Sequence, residues 1–197
     1  MDRRWLRAGV VAALLLAASR YLAFVPDAEM SPSLFAGDVV LILPIAPEVG
    51  DVVALADPLD PSRWTLRRVK SIGGSARYDG QVVRTAARPK VRVLDMGEFD
   101  GSKIRLEGDH LVSRRGGPSA RSGAAERGIP DDAAYLVADA RDEAVDSRWW
   151  GPLPLAAVSG VVVARVGAPR TPWRRWFGSR GEPAVIPKQT RAAPPNG

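Results

Sequence analysis

Val25-Pro26-Asp27-Ala28-Glu29-Met30-Ser31-Pro32-Ser33-Leu34-Phe35-Ala36-Gly37-Asp38-Val39-Val40-Leu41 is the stretch on which the reading of this 197-residue chain turns. Gly37-Asp38 is a tight-turn signal, and Val39-Val40-Leu41-Ile42-Leu43 is a short β-branched, apolar run, so a turn feeding a strand is expected. Gly50-Asp51 feeds Val52-Val53-Ala54-Leu55 in the same way. Ser33 follows Pro32 and reads as a turn residue. Two carboxylates, Asp27 and Glu29, precede Met30, and their chemistry decides what the segment can do.

Working outward, Thr65 to Ser71 alternates as a strand should, and Gly73-Gly74 is expected to turn it. Tyr78-Asp79-Gly80-Gln81-Val82-Val83 reads as a hairpin with Asp79-Gly80 at a type I′ turn. From Arg84 to Gly128 the pattern weakens into charged and Gly/Ser-rich stretches, expected to be a partly mobile insertion. Tyr135-Leu136-Val137 and Val158 to Val166 return as strands. With 17 Pro, 19 Gly and a 46% hydrophobic fraction, a mostly β body of short antiparallel strands joined by turns is expected.

The charge is unevenly placed. Of the net +6, the segment from Gly167 onward carries six cations against one acid, Glu182, a net +5. The body is close to neutral, which argues against nucleic-acid binding. No cysteine is present, so disulfides and thiolate metal sites are excluded, and the single histidine, His110, excludes a multi-histidine metal site. No metal and no cofactor are expected. His110, in a Gly-Asp-His turn, reads as a surface imidazole rather than a base.

Asp2, Arg3, Arg4 and Arg7 precede the apolar run Ala8 to Ala18, and Arg20 interrupts before Tyr21-Leu22-Ala23-Phe24-Val25. Trp5 to Val25 reaches the roughly 20 residues a spanning helix needs, if Arg7 and Arg20 snorkel to the interfaces. The competing reading is a cleaved secretory signal, with Ala-Ala-Ser19 as a weak site. A retained transmembrane helix is favoured because the apolar segment runs almost directly into the Val25–Leu41 stretch. The leading positive charge then places the N-terminus in the cytoplasm and the body outside a single-pass inner-membrane anchor. Residues 1–25 are thus the anchor, 26–166 the β body with an insertion at about 84–128, and 167–197 a basic Pro/Arg-rich tail expected to be disordered. Within that tail, Trp173-Arg174-Arg175-Trp176-Phe177 has the make-up of an interfacial membrane anchor, and a solvated tail fits it equally well.

Four segments together resemble the type I signal peptidases, bacterial and organellar. Val25–Leu41 is similar to the family pattern P-x-x-S-M-x-P-[ST]-L-x-x-G-D-x-V. Gly50-Asp51-Val52 to Pro58 is similar to G-D-x-V-x-x-x-x-P. Thr65-Leu66-Arg67-Arg68-Val69-Lys70-Ser71-Ile72-Gly73-Gly74 lines up with Y-[VI]-K-R-[VI]-[IV]-G-L-P-G. Ile129-Pro130 through Asp139-Ala140-Arg141-Asp142-Glu143-Ala144-Val145-Asp146-Ser147-Arg148-Trp149-Trp150-Gly151 looks like V-P-x-x-x-Y-F-V-x-G-D-N-R-D-N-S-x-D-S-R-x-W-G. The resemblance covers most of residues 25–83 and 129–166, and implies a signal-peptidase-like antiparallel β body.

The same resemblance implies a Ser-Lys dyad, in which a lysine held neutral by burial takes the proton of the attacking serine. Here the serine position holds Glu29 and the lysine position holds Arg67. Guanidinium stays charged above pH 12 and cannot serve as that base. Asp27 stands where the oxyanion-hole serine would be, Ala144 stands where a serine orients the lysine, and Gly-Asp-Asn has become Ala138-Asp139-Ala140. A carboxylate at 29 would put negative charge where an oxyanion must form. Met30, Pro32, Asp139, Asp146, Ser147 and Arg148 keep the scaffold pattern, with Asp146 and Arg148 expected to brace it as an ion pair.

If the strands bring positions 29 and 67 together, a Glu29–Arg67 charge-assisted pair is expected in place of the dyad. The resemblance then implies a membrane-bound, catalytically inactive protein that binds extended precursor peptides or an active signal peptidase paralogue. The alternative is an active signal peptidase with relocated groups centred on Ser31 and Lys70. That alternative is disfavoured because Lys70, three residues from Arg67, falls on the opposite strand face. A purely structural extracytoplasmic module is the third reading.

Overall fold

A computed structural model describes residues 19–78, 82–86, 90–99, 101–114, 126–142 and 144–167. The expected helix within residues 1–18, the Asp79-Gly80 turn and the tail with its Trp173–Phe177 run lie outside the described residues. Among the described residues no helix is long and apolar enough to cross a membrane.

The body is built on one large antiparallel sheet. Its path runs β1 (Leu22–Phe24), β2 (Val39–Leu43), β11 (Val158–Gly167), β3 (Val52–Asp57), β4 (Asp60–Tyr78), β9 (Arg127–Val137) and β10 (Leu153–Pro154). The short β5 (Val83–Thr85) pairs with the far end of β4. A second sheet holds β6 (Val93–Phe99), β7 (Ser102–Glu107) and β8 (His110–Arg114). Ser147–Trp150 form a single helical turn, α1, capped by the Asp146 side chain.

Two expectations need correction. Leu22–Phe24, placed at the end of the anchor, form β1 and pair with Val39–Leu41, so their backbone groups are spent on the sheet rather than on a helix. Gly73-Gly74 does not end the third strand; β4 continues through both at positive φ, with a register shift between Ile72 and Gly74. Glycine is required at 73, where a Cβ would stand 2.9 Å from Asp131 Oδ1. The stretch from Arg84 to Gly128, weakly patterned as sequence, contains the whole second sheet.

The Val25–Leu41 stretch is fixed from both ends. Val25 N–H donates to Asp38 O at 2.8 Å and Gly37 N–H donates to Val25 O at 2.8 Å, closing it into a loop. Asp38, 1% exposed, accepts from the Phe35 N–H and from Arg165. Met30 is fully buried and Leu34 nearly so, in a cluster with Val25, Val40, Ala54 and Leu66. Each such burial stabilises by about 1.5–3 kcal/mol. Met30 therefore pins the loop and fixes where Glu29 can point. A neighbouring cluster of Val53, Leu55, Val69, Ala134, Leu136 and Val161 fills the middle of the sheet.

Candidate functional site

Strand β4 lies beside β3 with Val53 opposite Arg67 and Val52 opposite Arg68. Successive residues of a strand face opposite ways, so Arg67 and Arg68 serve different clusters. Thr65, two residues before Arg67, shares its face.

Glu29 and Arg67 meet. Arg67 Nη1 lies 2.7 Å from Glu29 Oε2, with the arginine side chain 1% exposed and the glutamate 26%. Thr65 Oγ1 donates to Glu29 Oε2 at 3.2 Å and accepts from Arg67 Nη1 at 2.5 Å. Arg67 also donates to Leu66 O at 2.6 Å and Val145 O at 2.8 Å, and its guanidinium sits 5.6 Å from the centre of the Trp150 ring. The Glu29 N–H donates to Asp27 Oδ1 at 3.0 Å, and Ala140 N–H donates to Glu29 O at 2.9 Å. Burial raises the Glu29 pKa; Arg67 pulls it back, Asp27 pushes it up again, and the balance stays above the ordinary glutamate value. Thr65 is a member of this cluster that the sequence reading passed over. Its place two residues before Arg67 was the available signal.

At positions 29 and 67 the cluster holds a carboxylate and a guanidinium, neither a hydroxyl nor an amine. The guanidinium cannot take a proton, and the Thr65 hydroxyl is buried with its oxygen facing a cation. Ala144, 6% exposed, presents no side-chain hydroxyl, and the backbone carbonyl of its neighbour Val145 is committed to Arg67.

Two further ion pairs brace the surroundings. Asp146 accepts from Arg148 Nε at 2.8 Å, from Arg148 Nη2 at 2.9 Å and from the Ala138 N–H at 2.9 Å, all fully or nearly fully buried. Ser147 Oγ accepts from the Leu136 N–H at 2.9 Å. Asp139 accepts from Arg68 Nη2 at 2.6 Å, from Arg68 Nε at 3.0 Å and from Ser33 Oγ at 2.6 Å. Ser33 is thus tied to a carboxylate across the fold as well as following the cis Ser31–Pro32 peptide bond. Burial alone would raise the Asp139 pKa, but Arg68, with Ser33 and His110, holds it below the ordinary aspartate value.

The sign of the resulting pH effect is fixed. A carboxyl whose folded pKa is depressed contributes stability above its ordinary value of 3.8, and that stability is lost as pH falls through the folded pKa. The stability gap between wild type and Asp139→Asn in urea unfolding is expected to be constant above about pH 5 and to shrink below about pH 4. A gap that grows on acidification would contradict this assignment.

Lys70 lies on the Arg68 side and is drawn to the second sheet. Its Nζ is 2.7 Å from His110 Nε2 and 3.6 Å from Glu107 Oε2, and Glu107 in turn is 2.7 Å from Arg141 Nη2. It makes no hydrogen bond to Ser31; the Ser31 carbonyl accepts from Ser113 Oγ at 3.1 Å. His110 is not the surface imidazole expected from its turn. Its side chain is 11% exposed, with its Nε2 against the Lys70 amine of β4. Among the described residues no group of three or more His, Cys, Asp or Glu side chains is placed to hold a metal ion.

The family model described as "Signal peptidase, peptidase S26" matches residues 3–167. Among solved structures, the crystal structure of a signal peptidase I from Enterococcus faecalis V583 aligns with 61% of this chain and 99% of its own, at 15% identity and a TM-score of 0.34. No curated protein matches the chain. The family match spans the loop that carries Glu29, the strand that carries Arg67 and the segment that carries Asp146 and Arg148, so the chain belongs to the signal peptidase family.

Proposed function

We propose that this chain is a signal-peptidase-family protein that has given up peptide-bond cleavage and kept a peptide-binding groove. The observation that carries the reading is the 2.7 Å Glu29–Arg67 ion pair, at the two positions where the family resemblance puts a serine and a lysine. A charged pair there leaves neither an attacking hydroxyl nor a neutral amine, and Asp27 adds negative charge where an oxyanion would need donors. In this reading residues 1–25 include an inner-membrane anchor and the β body lies outside the cytoplasm. The occupant of the groove is an extended precursor peptide bound by strand addition, with an active signal peptidase paralogue as the partner in the same membrane. A depressed Lys70 pKa, about 7, favours a second reading, an active peptidase with relocated groups. Its amine, however, faces His110 and Glu107 rather than Ser31.

Binding can be separated from cleavage. A fluorescent precursor peptide spanning a signal-peptide junction is expected to bind the full-length, detergent-solubilised protein saturably and to be recovered intact. Absence of saturable binding would overturn the groove reading. Recovery of cut peptide, abolished by Ser31→Ala, would favour relocated groups.

A further inference from the structure

Between β4 and the second sheet lies a cavity of about 260 Å³, lined by Lys70, His110, Asp109 and Glu107 together with Lys90 and Arg92. It falls below the usual range for drug-sized ligands, so it suits a small molecule. Glu29 and Arg67 are not among its lining residues, and nothing in the family resemblance assigns it a role.

Its polar groups form a chain. Asp109 Oδ1 lies 3.0 Å from His110 Nδ1, and His110 Nε2 lies 2.7 Å from Lys70 Nζ. A carboxylate at Nδ1 fixes the proton there and leaves Nε2 as an acceptor toward the amine. We propose that this cavity is a site for a small anionic aldehyde, which condenses with the Lys70 amine while His110 moves the protons. Lys90 and Arg92, both exposed at the rim, supply the positive charge that favours an anion.

The step balances without a further reactant. The Lys70 nitrogen lone pair adds to the carbonyl carbon, and the carbonyl π pair moves to oxygen. His110 Nε2 takes a proton from the new ammonium and returns it to that oxygen. Both amine hydrogens end on the oxygen, which leaves as water as the C=N bond forms. The amine is suited to this. Burial first, and then the Arg141 charge, lower its pKa to about 7 against the opposing pull of Glu107 and Asp139. At neutral pH about half of it is free base, against roughly one part in 2,500 for an ordinary lysine with pKa near 10.4.

The chain holds only four lysines, Lys70, Lys90, Lys103 and Lys188, so three serve as internal controls. The full-length protein would be treated with glyoxylate and cyanoborohydride at pH 7, and each lysine's adduct followed by peptide mass. Lys70 is expected to be labelled roughly tenfold or more faster than Lys103, the lower intrinsic nucleophilicity of a weaker base offsetting part of its larger free-base fraction. Equal rates would overturn the proposal. With acetaldehyde, the Lys70 preference over Lys103 is expected to shrink severalfold; an unchanged preference would overturn the anionic assignment. H110Q is expected to slow Lys70 labelling with Lys103 unaffected, and no change would overturn the proton-transfer role. Should that variant not fold, the wild-type pH profile decides. Lys70 labelling is expected to level off above about pH 7, whereas a steady rise to pH 10, as for an ordinary lysine, would contradict the site.

Discussion

Glu29→Ala is expected to destabilise the protein by roughly 3 kcal/mol, within the range for removing one partner of a buried pair. The arginine left behind stays where it is, because Leu66 O, Val145 O and the Trp150 ring hold its guanidinium away from water. Arg67→Ala is expected to cost less, on the order of 1–3 kcal/mol, because the orphaned Glu29 can reach solvent and neutralise. Its carboxyl pKa already lies above the ordinary value. The double change removes both charges together, so its cost is expected to fall short of the sum by at least about 1 kcal/mol. Chemical denaturation of the four proteins measures this cycle. Strict additivity would mean that the pair is geometric only.

Much of the body was legible because strand signals and turn signals agree locally. Val39–Leu43 was read as a strand and β2 has those bounds; Thr65–Ser71 and Tyr135–Val137 lie inside β4 and β9. Gly73-Gly74 misled, because the same positive-φ tolerance that makes a turn also makes a bulge within a continuing strand. The second sheet was illegible for a different reason. Its strands carry charged residues such as Arg105 and Asp95, paired with each other at 2.7 Å, which blurs the alternation that marks a half-buried strand.

The candidate site divides along the same line. The meeting of Glu29 and Arg67 was predicted from position within the family pattern, and the structure places them together. Lys70 was correctly set on the face opposite Arg67, but its partner His110 was misread. Proximity between residues 70 and 110 depends on how β8 docks against the Asp139–Arg141 loop, through the Ser113 N–H to Asp139 O and the Arg141 N–H to Ser113 O hydrogen bonds. No local pattern encodes that long-range contact.

The decisive comparison is cleavage of a standard secretory precursor by reconstituted wild type and by a variant carrying Glu29→Ser, Arg67→Lys, Ala144→Ser and Asp27→Ser. Lys at 67 would inherit a site where arginine is 1% exposed, the burial that lowers an ammonium pKa toward neutrality. Ser at 144 would add a hydroxyl one residue from the Val145 carbonyl that now holds Arg67. The wild type is expected to leave the precursor intact, and the variant to cleave it at a rate on the order of 10²-fold or more above that background. Cleavage by the wild type at the variant's rate would contradict the loss of catalysis outright.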